Sequence, residues 1–212
     1  MKGLLIKDFK LIMTRGIFLL FVIAGYIVFQ FGAGNSQTSV GFVTLMLSLF
    51  SITSITYDEY ENGMPFLFTL PITRKQYVQE KYVFGFLLTT VTWVVMNVIC
   101  FVFDSLVWAG AAENLWDNII FNVTYLLVVY FMMALEIALK LKFKENTGVA
   151  MMVIMAIMGA VAVALYTGFE VSANLKAMLL SGKILIVIAI VFVGLIYAFY
   201  RWAVRIMEKR EF

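Results

Sequence analysis

Residues 57–82, YDEYENGMPFLFTLPITRKQYVQEKY, form the longest polar stretch of the chain and lie between two long apolar runs. They contain the two prolines of the protein, Pro65 and Pro71. The NGMP sequence is a turn signal, Pro71 sets a bend, and Thr73 lies three residues before Gln76, as the N-cap of a capping box does. The stretch therefore predicts a short apolar helix, a proline turn and a helix that continues into the next apolar run.

The composition around this stretch is that of a membrane protein. The 212 residues are 63% hydrophobic and 14% charged, with a mean hydropathy of +0.97, whereas a soluble domain is near half apolar and about a quarter charged. A chain of this size cannot hide so much apolar surface in one water-soluble core. We therefore expect a single transmembrane domain over residues 1–212.

Six apolar runs have roughly the twenty residues that a helix needs to cross a membrane. Backbone amides must be satisfied within a spanning segment, so helices are expected and the fold class is all-α. The six predicted transmembrane helices cover about residues 16–33, 40–57, 83–103, 119–139, 148–167 and 184–201. An even number of spans places both termini on the same side of the membrane.

The distribution of positive charge predicts which side that is. Of the 16 Lys and Arg residues, all but Lys176 and Lys183 fall in the N-terminus, residues 57–82, residues 140–147 or the C-terminal end. Both termini and the 58–82 segment are therefore predicted to be cytoplasmic. The positive charge needs no nucleic acid to explain it, because the anionic lipid of the inner leaflet is its expected neighbour.

Residues 1–15 predict an amphipathic helix that lies in the membrane interface. Leu5, Phe9 and Ile12 recur at helical spacing on one stripe, and the charged residues, Asp8 among them, fall mostly off it.

The 58–82 segment combines apolar side chains with a rim of charge. Its apolar run is too short to span a membrane and too apolar to be free in water, so a docking surface is favoured over a well-packed connector. The residues of this predicted surface are Asp58, Glu59, Glu61, Met64, Phe66, Leu67, Phe68, Arg74 and Lys75.

Polar side chains inside the predicted spans have two interpretations. They line a translocation path, or they bond to their own helix or to a neighbouring one. The residues concerned are Thr44, Ser48 and Ser51 in the second span and Trp93 and Asn97 in the third. Glu136, four residues before Lys140, predicts an ion pair within one helix.

Small residues at helical spacing mark the fifth predicted span. Ala156, Ala160 and Ala164 form one stripe, which lets helices approach closely. Helix packing within one chain is the default interpretation, and an interface between two protomers is the more specific one.

The sequence contains no catalytic or metal-binding constellation. It has no histidine, one cysteine and no G-x-x-x-x-G-K-[ST] phosphate-binding loop. An enzyme is therefore disfavoured, no metal site is predicted, and any ATP must be hydrolysed on another chain.

Taken together, these features resemble ABC-2 type transporter permeases, in particular the small six-span bacterial permeases that work with a separate ATPase. MKGLLIKDF at the start and DEYENGM…LPITRKQYVQEKY after the second span carry the resemblance, which covers essentially the whole chain. It implies that the N-terminal helix and the 58–82 segment touch a cytoplasmic ABC ATPase, and that the segment contains the coupling helix.

The resemblance also implies the partners and the compartment. Two ATPase copies carrying ATP and Mg, a second permease chain (identical or a sister), membrane lipid and a bacterial cytoplasmic membrane are expected, with no cofactor in this chain. The implied activity is export of a hydrophobic or amphipathic cargo, with a peptide favoured, as in the phenol-soluble modulin and antimicrobial-peptide exporters. The alternative is a membrane scaffold or immunity protein that binds a partner and transports nothing.

Overall fold

The computed structural model describes residues 2–14, 16–32, 36–60, 63–107, 115–143 and 182–210. Within these ranges the regular structure is helical and contains no strand, which confirms the predicted all-α class there. The helices are α1 (Lys2–Met13), α2 (Gly16–Gly32), α3 (Ser36–Ser48), α4 (Phe50–Glu59), α5 (Gly63–Leu67), α6 (Arg74–Val107), α7 (Leu115–Phe143) and α8 (Gly182–Glu208).

The predicted spans fall on these helices wherever the chain is described. Three helical segments within the described ranges are both long and apolar enough to cross a membrane, namely Ser39–Glu59, Arg74–Phe103 and Ala189–Glu208. A shorter apolar helical segment covers Leu19–Val28. The predicted span 148–167, and the Ala156, Ala160 and Ala164 stripe within it, lie outside the described residues.

The second predicted span is built from α3 and α4. Leu49 separates the two helices, but its backbone is itself in the right-handed helical region (φ −60°, ψ −20°). Its amide donates to the carbonyl of Leu45 at 3.2 Å, and its carbonyl accepts from the amide of Ile52 at 3.1 Å. The two helices therefore form one nearly continuous rod.

Helix α6 is the central element of the described bundle. It packs against α3, α7 and α8, while α3 also contacts α2 and α7. A Cβ added at Gly85 would collide with the Met133 sulfur and would lie 2.8 Å from the Ser51 hydroxyl. The absence of a side chain at Gly85 thus allows α4, α6 and α7 to approach closely.

The start of α6 follows from its capping box, as the sequence predicts. The Gln76 amide donates to Thr73 Oγ1 at 3.2 Å, and the Thr73 amide donates to Gln76 Oε1 at 3.0 Å. These reciprocal bonds satisfy amides that the first helical turn leaves without backbone partners. The helix therefore begins well before the apolar run that it enters.

Helix α1 packs on the bundle with Leu4 and Asp8 buried and with Leu5 and Ile12 of the predicted stripe half-buried, whereas Phe9 is 37% exposed. Leu5 and Ile12 pack against a buried cluster that contains Phe50, Phe84 and Leu88. The ring of Phe9 meets the ring of Phe84 edge-on, with 5.3 Å between their centroids. Helix α1 therefore covers α4 and α6 where these two helices meet.

Candidate functional site

The charged side chains of distant segments meet at one end of the bundle. This end, here called the charged end, consists of α1, α5, the last turns of α4, α7 and α8, and the first turns of α6. Ion pairs and hydrogen bonds described below join these segments. The structure thus brings together the N-terminal helix, the 58–82 segment and the end of α8, which the charge pattern predicts to share one side of a membrane.

Lys81 of α6 is the centre of a buried ion network. It is fully buried, and its Nζ lies 2.5 Å from Asp8 Oδ2 on α1 and 2.8 Å from Asp58 Oδ2 on α4. It also donates to the Ser54 hydroxyl at 2.6 Å. One ammonium group therefore joins α1, α4 and α6.

Further polar groups complete this network. Lys7 pairs with Asp58, and its Nζ lies 3.2 Å from Asp8 Oδ1. The buried Tyr77 hydroxyl donates to Asp58 Oδ2 at 3.0 Å. The carboxylate of the fully buried Glu80 lies 3.6 Å from Lys81 Nζ. Each carboxylate thus has a cationic neighbour within 4 Å.

The surroundings of Asp8 favour its charged form. Burial raises the pKa of this carboxyl, but the charge and hydrogen bond of Lys81, the Ser54 hydroxyl and the charge of Lys7 oppose it, and the net effect lowers the pKa from 3.8. Hydrogen bonds and an opposite charge outweigh desolvation here. Asp8 is therefore an ionised partner of Lys81.

Glu59 joins a second set of elements. It lies 3.2 Å from Lys140 Nζ on α7 and 2.7 Å from an Arg210 nitrogen beyond α8. The predicted ion pair between Glu136 and Lys140 is wrong, because Lys140 reaches across to α4 and no such pair forms within the described residues. Through these two ion pairs, Glu59 joins the end of α4 to α7 and to the residues that follow α8.

The predicted docking residues separate into two groups. Met64 is 3% exposed and belongs to the core, whereas Phe66, two residues later on α5, is 74% exposed. Leu67 and Phe68 are half-buried against the same core, and the Phe68 ring meets the Tyr77 ring at 5.8 Å. Helix α5 therefore exposes the aromatic side chain of Phe66 and packs on the bundle through Met64 and Leu67.

The charged members of the predicted surface divide in the same way. Asp58 and Glu59 take part in the two ion-pair sets described above, and Arg74 donates to the carbonyl oxygen of Glu208 at 2.7 Å. Lys75 is exposed. Glu61 lies outside the described residues. The described part of the exposed surface around α5 thus includes Tyr60, Phe66, Leu70 and Lys75.

The candidate path residues of the second span bond mainly within their own helix. Thr44 Oγ1 donates to the carbonyl of Val40 at 2.7 Å, and Ser48 Oγ donates to that of Leu45 at 2.7 Å. The Ser51 hydroxyl is buried and has no hydrogen-bond partner among the described residues. A role for these three in a path stays a prediction.

Trp93 and Asn97 belong to a polar contact between α6 and α7. Asn122 Nδ2 donates to Asn97 Oδ1 at 2.8 Å, and Trp93 Nε1 donates to the Asn122 carbonyl at 3.1 Å. The partner that Asn97 requires is therefore Asn122.

Sequence reasoning missed Asp8, Lys81 and Asn122 as residues of the site. A signal existed for Asp8, because positions 5, 8 and 12 share one helical face, so the acid lies on the side that α1 buries. No local signal identifies its partner, since Asp8 and Lys81 are 73 residues apart.

The long apolar helices and the charged end define the class of a multi-pass membrane protein. A family model described as "ABC-2 family transporter protein" matches residues 3–208. The chain belongs to this family and is thus of the kind that forms the membrane subunit of an ABC transporter in association with an ABC ATPase. No curated protein and no solved structure matches it significantly.

Proposed function

We propose that this chain is the permease subunit of an ABC exporter and that α5 is its coupling helix, which docks the ATPase through Phe66. The observation that carries the proposal is the contrast on α5 between the buried Met64 and the exposed Phe66. A five-residue helix that is packed on one side and exposes a phenylalanine on the other suits a contact that must both bind a partner and pass force inward.

The contacts of α5 support force transmission into the bundle. Met64, Leu67 and Phe68 pack in a cluster that also contains Tyr77 of α6, Ile137 of α7 and Met207 of α8. Helix α5 lies in the short connection between α4 and α6, and Lys81 ties both of these helices to α1. A displacement of Phe66 would therefore reach α6 through packed side chains and ion pairs.

The proposed topology has six spans with both termini, and hence the charged end, in the cytoplasm of a bacterial cell. The ion pairs that collect positively charged segments at one end agree with this arrangement. The proposed assembly contains a second permease chain and two ATPase copies, with ATP and Mg bound by the ATPases.

The proposed cargo is hydrophobic or amphipathic, most simply a peptide. Helix α2 supports this cargo class because it exposes a long apolar face that includes Ile17, Phe21 and Phe31, and such a face suits lipid, another helix or an amphipathic chain. The scaffold alternative predicts the same fold without ATP-dependent movement.

The proposal is tested by co-expression with the neighbouring ATPase, affinity purification and ATP hydrolysis in nanodiscs. Phe66→Ser should reduce ATPase recovery by about tenfold or more, the size of effect that removal of an aromatic hot spot has. The matched control is Phe101→Ser, which replaces another exposed phenylalanine (57%) toward the other end of α6. Leu67 and Phe68 stay unchanged because they belong to the core.

Full ATPase recovery and full stimulation by the Phe66→Ser variant would remove α5 as the docking element. Transport is measured after reconstitution of the same complex into lipid vesicles. A stable complex that hydrolyses ATP but moves no amphipathic peptide into the vesicle lumen would contradict export of that cargo. A complex with no ATP-dependent movement of any tested cargo would favour the scaffold alternative.

A further inference from the structure

A pocket of about 300 Å³ lies between the start of α6 and the second half of α8. It belongs to the charged end, but most of its lining comes from α8 and not from the 58–82 segment. Its lining residues are Lys75, Tyr197, Tyr200, Arg201, Val204, Arg205 and Glu208.

The pocket has an excess of positive charge. Lys75, Arg201 and Arg205 face a single carboxylate, that of Glu208. Within the described residues none of the three cations has a hydrogen-bond or ion-pair partner, in contrast to Lys81, Lys140 and Arg210 nearby. The pocket therefore presents unneutralised donors to whatever enters it.

An exposed apolar strip leads into the pocket along α8. Ile190, Val193 and Tyr197 are 66%, 59% and 60% exposed and recur at positions i, i+3 and i+7. A Cβ added at Gly194, on the same face, would meet no atom within 4 Å. Arg201 follows Tyr197 by one helical turn, so the same face of α8 changes from apolar to aromatic to cationic over roughly 16 Å of helix.

We propose that this pocket binds the phosphate headgroup of an anionic phospholipid, with one acyl chain along the α8 strip of Ile190, Val193 and Tyr197. Arginine forms paired hydrogen bonds with phosphate oxygens, and tyrosine favours the membrane–water boundary. Basic pockets between helices at a membrane surface suit such headgroups. The proposal requires only that the chain lies in a membrane, and it is independent of ATPase docking.

The test uses the purified full-length chain, delipidated in neutral detergent, and lipid binding followed by native mass spectrometry. The probes are dioleoyl phosphatidylglycerol, dioleoyl phosphatidylcholine and free glycerol phosphate. The pocket variant is Arg201→Gln with Arg205→Gln. The matched control, Lys10→Gln with Lys209→Gln, removes the same charge from exposed positions outside the pocket. Circular dichroism and size-exclusion profiles check that both variants are folded.

We expect phosphatidylglycerol to bind the wild type at least about tenfold more tightly than phosphatidylcholine does. The pocket variant should lose that preference, the control should keep it within about twofold, and Arg201→Lys with Arg205→Lys should retain part of it because the charge remains. If the glutamine variant is not folded, Val193→Ser with Tyr197→Ser tests the apolar strip instead. We then expect phosphatidylglycerol to bind more weakly and glycerol phosphate to bind as it does to the wild type.

Three results would overturn the proposal. An equal loss of phosphatidylglycerol preference in the pocket and control variants would indicate general attraction between charges and no specific site. Glycerol phosphate that competes as well as the lipid at equal concentration would indicate an anion site without an acyl chain. A pocket variant that binds lipid normally but no longer recovers the ATPase would make these arginines a protein-docking surface, whereas lost lipid binding with normal ATPase recovery supports the lipid site alone.

Discussion

Lys81 shows how a single buried cation organises the charged end. An ammonium group that leaves water is costly unless ion pairs and hydrogen bonds replace its hydration. Asp8, Asp58 and Ser54 supply these at 2.5–2.8 Å, from two different helices. The buried charge of Lys81 is therefore stabilised only when α1, α4 and α6 are assembled, so any change in their arrangement weakens its ion pairs.

Replacing Lys81 by Met should destabilise the protein strongly. The substitution keeps an unbranched side chain of nearly the same length but removes the buried ammonium, so that only the half-exposed Lys7 remains to pair with Asp8 and Asp58. Breaking a buried pair in this way costs about 3–5 kcal/mol of unfolding free energy. Thermal unfolding in detergent measures the effect, with Lys75→Met as the exposed control. Adding Asp8→Asn to the variant should recover part of the loss; independent effects of the two substitutions would show that the residues are not coupled.

Asp8 should make stability depend on pH in the acid range. Its pKa is lowered below 3.8 by Lys81, Ser54 and Lys7 after the opposing effect of burial, so its ionised form stabilises the folded state. That contribution is complete above pH 3.8 and is lost as the pH falls through the lower, folded-state value. The melting temperature of the wild type should therefore fall more steeply with acid than that of Asp8→Asn, and parallel curves would refute the assignment.

Helix α6 shows how one element combines local and tertiary signals. Its first turn is set by Thr73 and Gln76, four residues of local sequence. Its position in the bundle depends on Gly85, where Met133 and Ser51 occupy the space that a Cβ would need. Local sequence thus determines where α6 begins, and contacts with neighbouring helices determine how it packs.

Gly85→Ala should destabilise the protein although alanine favours helix formation. The added methyl group collides with the Met133 sulfur, and overpacking of this kind costs about 1–3 kcal/mol. The control is Gly194→Ala on α8, where nothing lies within 4 Å and the higher helix propensity of alanine should raise stability by about 1 kcal/mol. Unfolding in detergent compares the two, and equal responses would mean that α6 and α7 are not in close contact at Gly85.

At the scale of the whole molecule, polarity separates along the bundle axis. The ion pairs of Asp8, Glu59 and Lys81 collect at one end, whereas the described middle of the bundle is held by apolar clusters and by the Asn97–Asn122 contact. Charges at one end and apolar faces along the sides are what a bilayer demands of a spanning protein. The arrangement supports the proposed cytoplasmic position of the charged end.

Cysteine labelling on intact cells tests that orientation. The native Cys100 is buried, so its background reactivity should be low. Ser105→Cys, exposed near the far end of α6, should react with a membrane-impermeant maleimide from outside, whereas Lys209→Cys should react only after permeabilisation. The reverse pattern would invert the proposed topology, and labelling of both from outside would contradict the three spans predicted between these two positions.

Much of the fold is determined by the sequence alone. The all-helical class, the stripe of Leu5 and Ile12 and the capping box of Thr73 depend on composition or on contacts within about four residues, and such patterns can be read directly along the chain. The site was predictable only as a segment, because Met64 and Phe66 carry the same apolar signal.

Tertiary structure decided which members of that segment are available to a partner. Met64 is buried because it joins the apolar cluster that side chains of α6, α7 and α8 form, whereas Phe66 stays exposed outside that cluster. Lys140 pairs with Glu59 instead of Glu136, and Lys81 pairs with Asp8, 73 residues away. Burial and long-range pairing depend on which helix faces meet, and no periodicity within a single helix specifies its neighbour.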